Sequence, residues 1–355
     1  MSAPAARRRP GWKAKVLLLL GAATAALGVG ELAVRFYATS MQPRLTVHDD
    51  RLGWRHRPNV RRPVLHPGTE GEIAFNEFGH RGAAYPHQRT PGKFRILALG
   101  DSFTEALQVG EERVFTRLME RAHPDWEVIN AGVGSYGTVQ QLLYLRDDGL
   151  LFAPDLVLLV WFLNDLADNG FSYAPGLGPR PYADYDGGAV TIVESLDQGP
   201  YLRFCAPLPL RGFLARHSYL YQAFNQRVWQ TFRAEALDAL WLEDRNSFDN
   251  RELSAVATTL IQRIGALLEP KGIRFGVALV PAREQAADLD LSFVPWLAPF
   301  CESRGIPCRS LRQALHRATA DGQQPYFADD IHWTAAGHQV VAAELGPWIQ
   351  AQRQK

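Results

Sequence analysis

An α/β fold with a mostly parallel sheet covered by helices on both faces, preceded by one N-terminal transmembrane helix, is the architecture the sequence predicts. Three observations carry that expectation. Short apolar runs recur at Arg95–Leu99, Glu127–Ile129, Leu156–Phe162 and Arg274–Val280, with a weaker one around Ile306–Cys308. Between them, Glu112–Ala122, Val139–Asp147 and Arg251–Leu268 place apolar residues at helical spacing. A strand buried on both faces reads as a continuous apolar run, and strands alternating with helices are the pattern of a parallel sheet. Third, Val16 to Gly30 carries no charge and only Thr24 as a strongly polar residue.

That N-terminal run sets the expected address. A bilayer-crossing helix needs roughly 17 to 25 apolar residues. Val16–Tyr37 meets this only if Glu31 and Arg35, which interrupt its tail, lie near the far interface, where both can snorkel. Arg7, Arg8, Arg9, Lys13 and Lys15 precede the run, which places the N-terminus in the cytoplasm and the rest on the periplasmic or extracellular side. The competing reading is a signal peptide cleaved near Ala23-Thr24-Ala25, releasing a secreted protein.

Three segments follow from these patterns. Residues 1–37 form a cytoplasmic tail and membrane anchor. Residues 38–92, rich in Pro, Arg, His and Gly, are expected to be a stalk or small β-rich segment, with Glu72–Phe75 extended and Arg55, Arg57, Arg61 and Arg62 on a solvated face. Residues 93–355 form the α/β domain, interrupted at about 170–250 by an insertion with a hairpin around Ala189–Val193 and aromatic, helical sequence from Arg211 to Trp241. An insertion of this size is expected to act as a lid or binding element.

Composition narrows the function classes. The 355 residues carry a formal net charge of +1, with no basic excess that would point to nucleic acid. Three cysteines, Cys205, Cys301 and Cys308, exclude a disulfide-stapled miniature fold, and no Cys-x-x-Cys pair points to zinc. Two readings fit Cys301 and Cys308 across the intervening turn: a disulfide, or two free thiols. No metal or cofactor is expected.

Ligands of an open α/β sheet bind beyond the carboxyl ends of its strands, which turns the strand assignment into a site assignment. Ser102 follows the first strand directly after Gly100 and Asp101. A serine at such a turn can present its hydroxyl to a cleft while its own N–H faces a developing oxyanion. The second strand leads into Asn130-Ala131-Gly132-Val133-Gly134-Ser135-Tyr136-Gly137, able to supply another N–H, and the third leads to Asn164, whose amide can supply one more. A serine hydroxyl needs a base. His332, in Asp329-Asp330-Ile331-His332, is the candidate, with Asp329 expected to orient it and Asp330 the weaker choice. Asp101 is expected to fix the turn, Asp165 to support the Asn164 loop, and His338 to pack or face solvent. Tyr136 and Trp161 are read as core in preference to pocket lining.

These blocks, in this order, resemble the SGNH (GDSL-type) hydrolase superfamily over roughly residues 93 to 348 apart from the insertion. Gly100–Thr104 is similar to its first block, Asn164-Asp165 to its third and Asp329–His332 to its last. The resemblance implies a three-layer α/β/α sandwich with a flavodoxin-like sheet, with Ser102 as both nucleophile and oxyanion donor. Two positions depart from the pattern: Ser135 stands where the second block usually has glycine, and Trp161 where glycine usually precedes Asn164 by three. Asp50–Trp54, Asn76–Gly82 and the anchored layout resemble a bacterial envelope subgroup.

The expected chemistry is therefore acyl transfer through an ester on Ser102, with Asp329 and His332 as its catalytic partners and an oxyanion hole of Ser102, Ser135 and Asn164. Water as acceptor makes the protein an esterase or deacylase of an acylated polysaccharide or lipid. A sugar hydroxyl as acceptor makes it an O-acyltransferase with the same residues. A non-catalytic glycan- or partner-binding envelope protein is the alternative from another class.

Overall fold

The computed structural model describes residues 11–40, 45–64, 66–174, 177–196, 214, 217–221, 223–224 and 251–354. The first helix spans Trp12–Ser40, and its Trp12–Tyr37 stretch has a mean hydropathy of 1.9 with none of its most apolar window buried in protein. Glu31 and Arg35 pair with each other at 2.9 Å, one turn apart. They also hold part of the distant insertion. Glu31 accepts the backbone N–H groups of Tyr219 at 3.0 Å and Leu220 at 2.9 Å and the Ser218 hydroxyl at 2.8 Å, while Arg35 donates to the His217 carbonyl.

Two antiparallel hairpins come next: β1 (Thr46–Asp49) with β2 (Gly53–His56), and β3 (Val60–Pro63) with β4 (Glu72–Phe75). They do not project as a stalk. Trp54 is buried in the same core as the central sheet, and the Arg81 N–H donates to the Asn130 carbonyl at 3.0 Å. Alternation explains the packing, because Trp54 and His56 face inward while Arg55 and Arg57 face solvent. Residues 45–85 thus wrap the α/β unit as an apron.

The central sheet contains β5 (Phe94–Gly100), β6 (Trp126–Asn130), β7 (Leu156–Phe162), β12 (Arg274–Val280) and β13 (Cys308–Ser310) in the order β13-β12-β7-β5-β6, every pairing parallel. Renumbered along the chain this is 2-1-3-4-5, the flavodoxin order. Every residue of β5, β6 and β7 is buried, which is why these strands read as mainly apolar, the buried Arg95 of β5 pairing with Glu127 of β6, and each fully buried Leu, Ile or Val contributes about 1.5–3 kcal/mol. Helices Phe115–Ala122, Ala335–Arg353 and Arg312–Ala320 form one layer, and Thr138–Asp147 with Arg251–Leu268 another.

Between Asp168 and the Arg251–Leu268 helix lie β8 (Tyr173–Ala174) paired with β9 (Gly178–Pro179) and β10 (Tyr182–Asp186) paired with β11 (Ala189–Val193), so the expected hairpin is present. Most of the Arg211–Trp241 stretch expected to be helical lies outside the described residues. Cys301 and Cys308 form a disulfide joining the helix Leu297–Ser303 to β13.

Candidate active site

The strand order changes direction between β5 and β7, so the crevice beyond their carboxyl ends is the natural ligand site. The chain turns sharply there. A Cβ added to Gly100 would lie 2.2 Å from Thr104 Oγ1 and 2.9 Å from the Val160 carbonyl oxygen, so only glycine lets the turn close. Asp101, fully buried, caps the short helix Ser102–Glu105 by accepting the Phe103 N–H at 2.9 Å. That cap fixes Ser102 as the first helical residue, and its Oγ lies 2.7 Å from His332 Nε2.

The carboxylate on the other imidazole nitrogen is Asp330, not Asp329. Asp330 Oδ1 accepts the His332 backbone N–H at 3.0 Å and contacts Nδ1 directly. This is the geometry of an Asx turn, in which a side chain at position i folds onto the N–H of i+2 and so reaches the imidazole at i+2. Asp329 is turned away, with 70% of its side chain exposed, and faces His66 at 3.4 Å. Gln108, absent from the sequence-based expectation, places Nε2 3.5 Å from Asp330 Oδ2 and 2.9 Å from His332 Nδ1. With a proton on Nδ1 shared with Asp330, the remaining acceptor for Gln108 is that second carboxylate oxygen. Partial burial pushes the Asp330 carboxyl up, but the facing His332 and its hydrogen bonds outweigh this and hold it below its ordinary range.

The second-block loop packs hard against the Ser102 helix. A Cβ on Gly132 would meet Glu105 N at 2.5 Å, and Asn130 stitches the two together by donating to the Thr104 carbonyl at 2.7 Å while accepting the Gly132 N–H at 3.1 Å. The apron closes over the same loop. Trp54 Nε1 donates to the Gly134 carbonyl at 3.2 Å, and buried His56 pairs with Glu105 at 2.5 Å. Ser135 adopts φ of +63°, the left-handed region that explains why glycine suits this position. Gly137 leaves the set of candidate donors, because its N–H donates to Gln140 Oε1 at 3.3 Å. The N–H groups of Ser102, Gly134 and Ser135 donate to no protein group among the described residues.

Asn164 opens the helix Asn164–Asp168 after β7, and its Nδ2 donates to Asp168 Oδ2 at 3.1 Å. An amide NH2 carries two donors, and this one is directed to Asp168 with Asp101 close by. Beneath it the carboxyls of Asp101 and Asp165 are fully buried. Burial pushes Asp101 up to about 6, against the opposing pull of the Phe103 N–H, nearby His332 and the Asn164 amide. Burial and the neighbouring Asp101 charge raise Asp165 well above its ordinary value, although the Thr138 hydroxyl donates to it at 2.7 Å and Gln141 at 3.4 Å. Asp168 has a counterion, Arg180, at 2.8 Å.

Several other residues resolve plainly. Tyr136 and Trp161 are core, the latter edge-on to Trp296. His338 is buried, which pushes it down to about 3 and leaves it a neutral packing group against Phe115. Among the described residues, no group of three or more His, Cys, Asp or Glu side chains is placed to hold a metal ion.

A doubly wound α/β sheet carries a serine hydrogen-bonded to a histidine at its switch point, the pairing of a nucleophile with its base. Residues 98–340 match the model of the GDSL-like Lipase/Acylhydrolase family, and the chain belongs to that family. Solved structures similar to it include a GDSL-like lipase from Bacteroides thetaiotaomicron, with 14% identity over 75% of this chain and 92% of that one and a TM-score of 0.36. The acetyl xylan esterase AlAXEase is 14% identical over 72% of this chain and all of that one, with a TM-score of 0.40. The esterase EstA from Pseudoalteromonas sp. is 13% identical over 74% and 99% of the two chains, with a TM-score of 0.40. No curated protein matches the chain.

Proposed function

We propose that the protein is a membrane-anchored serine esterase or deacylase, acting outside the cytoplasm on an ester-bearing envelope or extracellular substrate through an acyl-enzyme on Ser102. The observation that carries this reading is Ser102 Oγ at 2.7 Å from His332 Nε2 with Asp330 on the opposite ring nitrogen. Ser102 Oγ attacks the ester carbonyl carbon as its proton passes to His332 Nε2, and the carbonyl oxygen becomes an oxyanion. The N–H groups of Ser102 and Ser135 and the side-chain amide of Asn164 are the donors for that charge. Collapse breaks the bond to the leaving alcohol, which takes the proton from His332. Water then attacks the acyl-enzyme, giving its proton to His332, and the second collapse releases the acid and returns the proton to Ser102 Oγ. Asp330 orients the imidazole and balances its positive charge.

Three features support the address. The Trp12–Tyr37 helix is long and apolar enough to cross a bilayer. The basic cluster Arg7, Arg8 and Arg9 precedes it, as positive-inside orientation requires. The Cys301–Cys308 disulfide belongs to an oxidising compartment. The test is labelling of the full chain in detergent micelles with a fluorophosphonate, read by peptide mass. The expected result is a single adduct on Ser102 together with turnover of a small activated ester. Folded protein that shows neither would sink the reading.

A further inference from the structure

We infer that Arg180, which belongs to none of the motif blocks, is a positioning residue that aligns the Ser135 and Asn164 donors of the oxyanion hole together. The inference rests on the esterase reading and goes beyond it. Arg180 follows β9 at the start of the insertion, and its side chain is 1% exposed. Its three donor atoms each have a separate target. Nη1 donates to the Ser135 carbonyl at 2.9 Å, Nη2 to Asp168 Oδ1 at 2.8 Å, and Nε to the Phe171 carbonyl at 2.8 Å. The other oxygen of Asp168 accepts Asn164 Nδ2 at 3.1 Å. One planar guanidinium therefore holds both the peptide that follows Ser135, and through it the backbone conformation of the residue whose N–H is the second donor, and the carboxylate that orients the third.

The arrangement answers two needs of this chain. Ser135 sits in the left-handed region without being glycine, so its backbone needs an outside contact to stay there, and Arg180 grips its carbonyl oxygen. Asn164 can rotate about its side-chain bonds unless one amide hydrogen is tied down, and Asp168 ties it. Arg180 is itself held by backbone: its N–H donates to the Ser172 carbonyl at 3.0 Å, and Gly53 of the apron, at φ of +88°, presses so close that an added Cβ would meet the Pro179 carbonyl oxygen at 2.3 Å. A lysine carries a compact ammonium on a flexible stem and cannot reproduce the rigid fork to both targets.

The experiment is Arg180→Lys in the full chain, compared with wild type by steady-state kinetics on a small activated ester, thermal melting and hydrogen exchange. The expected result is kcat lower by roughly 10²-fold, the scale of losing an oxyanion donor. KM should stay within about twofold, because a small ester makes little use of the donors before the oxyanion forms. Exchange should rise in peptides covering residues 133–137 and stay unchanged in β5 and β7. Wild-type kcat, or unchanged exchange at 133–137, overturns the inference. The exchange readout does not depend on turnover, so an inactive wild type would defeat the esterase reading while leaving the role of Arg180 decidable. Asp168→Asn serves if Arg180→Lys does not fold. It should lower kcat at least tenfold, and an unaltered kcat would overturn the inference as well. With both variants folded, the double variant should lose no more than the worse single one; additive losses overturn the shared role.

Discussion

The proposed proton-transfer half of the site and the proposed donor half are held in different ways. His332 and Asp330 keep 14% and 27% of their side chains exposed and are linked through one short turn plus Gln108. The proposed donors rest on Asp101, Asp165 and Arg180, all at most 1% exposed, and Arg180 in turn on carbonyls of two separate loops. The contrast follows from the work each half does. A base that exchanges protons with an alcohol and then with water must meet both, so it stays near solvent. A donor is useful only if its direction is already set when charge develops, and burial in a hydrogen-bonded network sets it.

The most severe break of the proton-transfer half is Ser102→Ala or His332→Ala. Each should remove nearly all turnover, on the order of 10⁴-fold or more, with the melting midpoint preserved. Steady-state rates on a small ester check this, and near-normal activity in His332→Ala would refute the assigned base. A sharper cut separates neighbouring acids. Asp330→Asn should cost roughly 10² to 10⁴ in kcat while Asp329→Asn stays within about threefold, and the reverse ranking would return the orienting role to Asp329.

The smallest effect belongs to the buried half and is read in stability. Asp101 has its carboxyl raised from 3.8 to about 6, so its contribution is fully present below 3.8 and is lost as pH rises through 6. Asp330, held low, runs the other way: its contribution is present above 3.8 and is lost as pH falls further. Asp101→Asn keeps an N-cap while removing the titration, and should flatten the fall of the melting midpoint between about pH 4 and 6. An unchanged slope would show that Asp101 does not govern that window.

Much of the frame was legible because burial on both faces leaves a plain trace. Leu156–Phe162 and Arg274–Val280 were bounded as the structure has them, and Arg251–Leu268 coincides with its helix. Ser102, Asn164 and His332 were legible as polar residues just past strand ends or at a C-terminal turn. The choice between Asp329 and Asp330 was not, since spacing alone cannot tell which of two adjacent carboxylates a turn folds back. Arg180 left no trace either, because it acts on a carbonyl 45 residues away and any residue can offer a carbonyl. The apron did leave one: Trp54 and His56 alternate with Arg55 and Arg57, the signature of a half-buried strand.

That apron changes the reach of the enzyme. A free segment from residue 38 to 92 could have carried the active site far from the N-terminal helix. With Trp54 and its neighbours folded into the α/β unit, that freedom is removed. The Glu31 grip on Ser218, Tyr219 and Leu220 is an attachment near the end of the N-terminal helix. With that helix in a bilayer, encounter becomes a search in two dimensions, and esters held within a few nanometres of the membrane are the ones such an enzyme meets.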